Sequence, residues 1–126
     1  MKTAFERLEV YRLSEQLADA IWDMALSWDR FAKSTVGRPL VKAADSIGAK
    51  IAAGQGRGAD AENRRLVRAA LGSLNETQHW LRRAFRRNLM TKAQVDGLQP
   101  LARKLGPRLN AHLKSIRRDP ANPHAD

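Results

Sequence analysis

Apolar residues in this chain return every three or four positions almost from end to end, and nowhere do apolar and polar residues alternate long enough to build a strand. A period near 3.6 lines up one side of the backbone only if that backbone is helical. The spacing predicts four helices. The first spans about residues 4–28 and leads through a connection over 29–36 to the second, about 38–53, whose first turn tolerates Pro39 because that position has no intrahelical N–H partner. Gly54-Gln55-Gly56-Arg57-Gly58 then stops it, since glycine takes the positive φ of a helix end. The third opens at Asp60, an N-cap residue type, and runs to about residue 88. The fourth opens on Thr91-Lys92-Ala93-Gln94, with capping-box spacing, and runs to about residue 118. Pro100 and Pro107 interrupt it, yet Leu98, Leu101, Leu105, Leu109, Leu113 and Ile116 keep one stripe across both, which predicts one kinked helix and not two. Short links favour antiparallel neighbours. The expected fold is therefore all-α, an antiparallel up-down-up-down four-helix bundle over residues 1–118 with a frayed, proline-bearing tail over 119–126.

Composition narrows the function classes. With no cysteine among 126 residues, disulfides, thiolate metal sites and a cysteine nucleophile are excluded, which suits a reducing cytoplasm. No stretch approaches the roughly 18 apolar residues of a membrane span, so no membrane partner and a cytoplasmic location are expected. Lys and Arg total 23 against 13 Asp and Glu, a formal charge of +10 that calls for an acidic partner.

That charge is concentrated. Residues 64–92 hold eight basic side chains against Glu76 alone, whereas residues 1–36 hold five basic and six acidic ones. On a helical wheel Arg64, Arg65, Arg68, His79, Arg82, Arg83, Arg86 and Arg87 share one arc of the third helix, opposite Leu66, Val67, Ala70, Leu71, Leu74, Leu81, Ala84 and Phe85. A solvated face normally mixes signs, but Arg64/Arg68, Arg82/Arg86 and Arg83/Arg87 are like-charge pairs at i,i+4. The repulsion is offset either by acid, such as the Glu15, Asp19, Asp23 ladder of helix one, or by nucleic-acid phosphate, which arginine grips bidentately.

Helix one carries a core stripe of Val10, Leu13, Leu17, Ile21, Met24 and Trp28 and a second arc of Tyr11, Ala18 and Trp22. The second arc is either a set of scattered surface aromatics or a subunit interface, and the interface is the expectation, since aromatics are enriched there. Gly72, in mid helix three beside Ser73, is read as a place of close helix packing and joins that interface set. Other signals are weak. Glu76 and His79 have the Glu-x-x-His spacing of di-iron bundles but no second copy and the wrong face, so no metal is expected. The glycine-rich segment follows a helix and lacks the Lys-Ser/Thr ending of a phosphate loop, so no nucleotide cofactor is expected either. His79, His112 and His124 show no triad-like spacing, and the chain is read as a non-enzyme.

Phe5-Glu6-Arg7-Leu8-Glu9-Val10-Tyr11, then Ala43-Ala44-Asp45-Ser46-Ile47 with Ile51-Ala52 and Gly54-Gln55-Gly56-Arg57, then Gly72-Ser73-Leu74-Asn75-Glu76 resemble, in order and spacing, one known family. It is that of the small four-helix-bundle proteins encoded within intervening sequences of bacterial 23S ribosomal RNA genes, with their free-standing relatives. Lys50 and Ala53 stand where the family usually has Asn and Glu, and Pro39 where it usually has Gln, so no family role is carried to those positions. The resemblance implies a homopentameric ring and no known enzymatic activity. A similar branch, the accessory proteins of diversity-generating retroelements, is basic and acts with nucleic acid. The expectation is thus a basic homo-oligomer binding RNA or DNA backbone through Arg64, Arg65, Arg68, Arg82, Arg83, Arg86 and Arg87. The alternative is a scaffold whose arginines bind an acidic protein surface.

Overall fold

The computed structural model describes residues 3–56 and 58–117. Among them lie four long helices and no strand: α1 (Glu9–Leu26), α2 (Arg38–Gly56), α3 (Asp60–Arg86) and α4 (Lys92–Ser115). The expected tail over 119–126 lies outside the described residues.

Helix one starts later than the spacing predicts. Phe5–Arg7 form a separate 3₁₀ turn, and Leu8, at φ −75° and ψ 132°, is extended and breaks the run. Thr3 fixes that turn, its N–H and hydroxyl both donating to Glu6 Oε1 at 3.1 and 2.6 Å. The connection expected over 29–36 is itself helical. Asp29 Oδ1 accepts the Ala32 N–H at 2.8 Å and caps a turn at Arg30–Ala32, which widens into a π-type turn at Lys33–Gly37 and enters α2 directly. Helix two outlasts its prediction by three residues: Gly54 and Gly56 stay helical, and the positive φ comes at Gly58, 78°. Helix three is preceded by Ala59, not Asp60, at its N-cap position, with no side-chain cap; Asp60 and Glu62 instead put negative charge in its first turn, where the helix dipole favours it. The capping box at Thr91 and Gln94 is present as expected, with hydrogen bonds of 2.9 and 3.1 Å.

Helix four runs unbroken through both prolines. Each removes a bond to the carbonyl four residues back, at Asp96 and Arg103, and all four residues are exposed, so water replaces what the helix loses. The opposite side holds it in place: Leu98, Leu105, Leu109 and Ile116 are buried, Leu101 and Leu113 partly so.

The core is the meeting of these stripes. All six residues of the α1 stripe are buried, and Leu17, Ile21, Leu40, Ile47, Ile51, Leu105 and Leu109 are sealed from solvent. Each such side chain contributes about 1.5–3 kcal/mol by leaving water. Small residues set the approach of α1 to α2, where a Cβ at Gly48 would stand 3.0 Å from Ser14 Oγ and 3.4 Å from the Tyr11 ring. The tightest glycine is Gly54, where a Cβ would stand 2.5 Å from Asn63 Oδ1 and 3.3 Å from the Leu66 Cβ. Gly72 is not a packing glycine within the protomer. It is exposed, and a Cβ there meets nothing within 4 Å.

Candidate nucleic-acid interface

Helix three is the most amphipathic element, and its arginines divide along its length. Near the start, Arg64 is 3% exposed and its guanidinium donates to the Arg117 carbonyl, just past the end of α4. Arg117 lies beyond the last helical residue and outside the helical ladder, and Arg64 supplies its carbonyl with a partner. It cannot also face a polyanion, so its place in the predicted binding set is corrected. Arg65 is exposed but engaged by Glu62, to which its Nε donates at 2.7 Å. Arg68 is half-buried.

The last turns differ. Arg82, Arg86 and Arg87 are exposed and Arg83 is half-buried. Among the described residues none of these four is in an ion pair. The chain after them is fixed by a Schellman turn: Asn88 takes a left-handed φ of 59°, its N–H reaches the Phe85 carbonyl at 3.1 Å, and the Leu89 N–H reaches that of Ala84 at 2.9 Å. The Leu89 carbonyl in turn accepts the Trp28 indole N–H at 2.9 Å, tying this end of α3 to the end of α1. The arginines thus stand on a held corner. Beside them a hollow of about 390 Å³ opens between α3 and α4, with Arg82 and Arg103 at its rim and Leu81, Phe85, Met90, Val95 and Leu98 on its walls.

The second arc of α1 divides too. Trp22 is 52% exposed, while Tyr11 is half-buried, its ring edge-on to Phe5 at 4.9 Å, with burial and then Glu15 pushing its phenol pKa up. Ala18 is buried at 8% and belongs to the core, so its assignment to an interface surface is corrected: the arc sits partly against α2. Glu15, Asp19 and Asp45 line a groove between α1 and α2, where burial and then the charge of Asp19 raise the Asp45 carboxyl above its ordinary value. Glu76 and His79 are exposed on α3, and no group of three metal-ligating side chains occurs among the described residues.

Sequence reasoning missed the α1–α2 connection. Phe31 is 77% exposed there, and Arg30, Lys33 and Arg38 surround a hollow of about 300 Å³. The available signal was an aromatic between basic residues in a segment with no apolar stripe to bury it.

Among known protein families, that of the 23S rRNA-intervening sequence protein matches residues 6–111. No curated protein matches the chain. No helix among the described residues is long and apolar enough to cross a membrane.

Proposed function

The chain belongs to the family of 23S rRNA-intervening sequence proteins, and on that footing we propose that it is a non-enzymatic, cytoplasmic homo-oligomer that binds the backbone of RNA or DNA. The observation that carries this reading is the C-terminal half of α3, where Arg82, Arg83, Arg86 and Arg87 gather on a fixed corner and, among the described residues, form no ion pair with an acid. Phosphate offsets their charge, and each phosphate bound releases condensed counterions. Backbone contact fits better than base readout along this helix, since arginine forks match phosphate and position a protein without reading sequence. A mobility-shift titration with structured RNA, duplex DNA and an unrelated polyanion at several salt concentrations tests it. Binding that weakens steeply with salt supports the reading, and absence of binding at low salt refutes it.

The assembly proposed is a ring, with five copies the expected number, of bundles whose neighbouring helices run antiparallel. Two contacts support that course: Glu9, opening α1, pairs with Arg108 near the end of α4, and Trp28, beyond the end of α1, reaches Leu89 just before α4 begins. The interface draws on Trp22 and Tyr11, and whether a neighbour's backbone also packs at the open Gly72 is tested by Gly72→Ala. Trp22→Glu with Tyr11→Glu is expected to give smaller, still helical species. A monomer mass for the unmodified protein by light scattering would refute the assembly.

One observation favours the scaffold reading. The hollow beside Arg82 has an apolar floor, and Phe85 on its wall is 56% exposed, which a phosphate backbone leaves uncovered and an acidic amphipathic protein segment covers. Loss of assembly or of protein partner binding in an α3 arginine variant, with no nucleic-acid binding by the parent, would decide for it.

A further inference from the structure

The bond from Trp28 to Leu89 brings two connections to one end of the bundle. Phe31, Thr35 and Val36 from the α1–α2 connection share a hollow of about 480 Å³ with Arg87 and Leu89 from the α3–α4 side. Among the described residues Phe31 is the most exposed of the large apolar side chains, at 77% against 52–56% for Trp22, Leu26 and Phe85. Its backbone is nevertheless held: its carbonyl accepts the Ser34 hydroxyl at 3.1 Å and the Thr35 hydroxyl at 2.7 Å. The wide turn at Lys33–Gly37 that follows is of the π type, a geometry found often where function requires it. Around the ring cations outnumber acid. Arg30 and Lys33 flank it in sequence and, with Arg38, line the adjoining hollow of about 300 Å³, while Arg87 lines the hollow of Phe31 itself. Asp29, the acid in these linings, is occupied in capping Ala32.

We propose that Phe31 is a stacking platform for an unpaired base of a single-stranded nucleic acid, with Arg30, Lys33, Arg38 and Arg87 holding the phosphates on either side. A rigidly mounted, bare aromatic face among cations fits this ligand in both its parts. Bases stack on aromatic rings whatever their sequence, and cations follow the backbone. A duplex offers the cations the same phosphates but hides its base faces, so the ring selects for single strand. The site rests on the nucleic-acid reading above and adds to it a place where a base, and not only backbone, is held.

The test is an anisotropy titration of the full chain against three fluorescent probes of equal length: an oligoadenylate, the same strand with abasic sugars in place of its bases, and a duplex. Phe31→Ala is expected to weaken the oligoadenylate by about 5-fold or more and to leave the abasic strand and the duplex unchanged, with Phe31→Trp restoring affinity. Because the ring is exposed, the melting temperature of both variants should match the parent's. Equal oligoadenylate affinity for Phe31→Ala and the parent would overturn the site while leaving the α3 reading intact, provided the parent binds duplex in a salt-dependent way. Equal loss on all three probes, or a loss that Phe31→Trp does not restore, would also overturn it. A parent that binds none of the three would refute both.

Discussion

At one end of α3, Arg64 is folded onto the carbonyl of Arg117 and Arg65 onto Glu62; at the other, Arg82, Arg86 and Arg87 reach into solvent from a corner closed by Asn88. The residue type is the same and the helical face is the same. What differs is the neighbour. The chain leaving α4 brings the Arg117 carbonyl, which has no helical partner, to Arg64 near the start of α3, whereas the Schellman turn satisfies the carbonyls of Ala84 and Phe85 from within, and among the described residues no acid pairs with the nearby guanidinia. An arginine face on a helix is thus not one site. Part of it caps the fold, and its last turns present exposed guanidinia.

The largest effect that could break this contrast is on stability. Arg64→Ala removes a buried, charged donor from the Arg117 carbonyl and should cost about 1.5–3 kcal/mol, seen as a clear drop in melting temperature. Arg86→Ala should stay within about 0.5 kcal/mol of the parent, as an exposed surface change does. Equal losses would mean that the two ends of α3 do not differ in the way described.

Gly54 and Gly72 sharpen the same distinction between a crowded and an open stretch of helix. Gly54→Val drives a branched side chain into Asn63 and Leu66 and should destabilise by about 1–3 kcal/mol. Gly72→Ala meets nothing in the protomer and should gain up to about 1 kcal/mol from helix propensity, with the assembly mass unchanged. A loss of assembly on Gly72→Ala would place a neighbouring protomer's backbone there.

The smallest effect is on pH dependence. Burial lowers the pKa of His112 from its ordinary value of 6.5, so the unfolded chain takes the proton more readily than the fold does. Its contribution is fully present above pH 6.5 and is lost as the pH falls from there through the lowered folded value. Melting temperatures taken from about pH 8 down to about pH 5 should decline less steeply for His112→Gln than for the parent. Parallel declines would remove His112 from the account. Asp45 has the opposite sign, since its raised pKa favours the fold at low pH and that advantage is lost as pH rises past its folded value.

The helices were legible because burial enforces their period: every residue of the α1 stripe and the capping box of α4 sits where the spacing puts it. The connection over 29–37 was not legible, because a turn capped by Asp29 and widened into a π turn has no amphipathic period of its own. The basic face was legible as a charge pattern, but the division within it was not. Arg64 owes its burial to a carbonyl 53 residues away in the chain, and no wheel drawn for one helix contains that partner. Ala18 was misassigned for a related reason: its arc looks like free surface until α2 is laid against it.

The central claim is that polyanion binding belongs to the free end of α3, and the salt dependence of affinity measures it most directly. Log affinity for duplex should fall linearly with log salt, at a slope of about 0.9 per phosphate neutralised. Changing Arg82, Arg83, Arg86 and Arg87 together to Gln should weaken binding to all sequences alike and flatten that slope by about 0.9 for each phosphate left without its arginine, with helicity retained. Changing the exposed Arg7, Arg12, Lys104 and Lys114 to Gln removes the same total charge and should leave the slope nearly unchanged. Equal flattening by the two sets would show that net charge alone drives binding and would contradict the assignment of a site to α3.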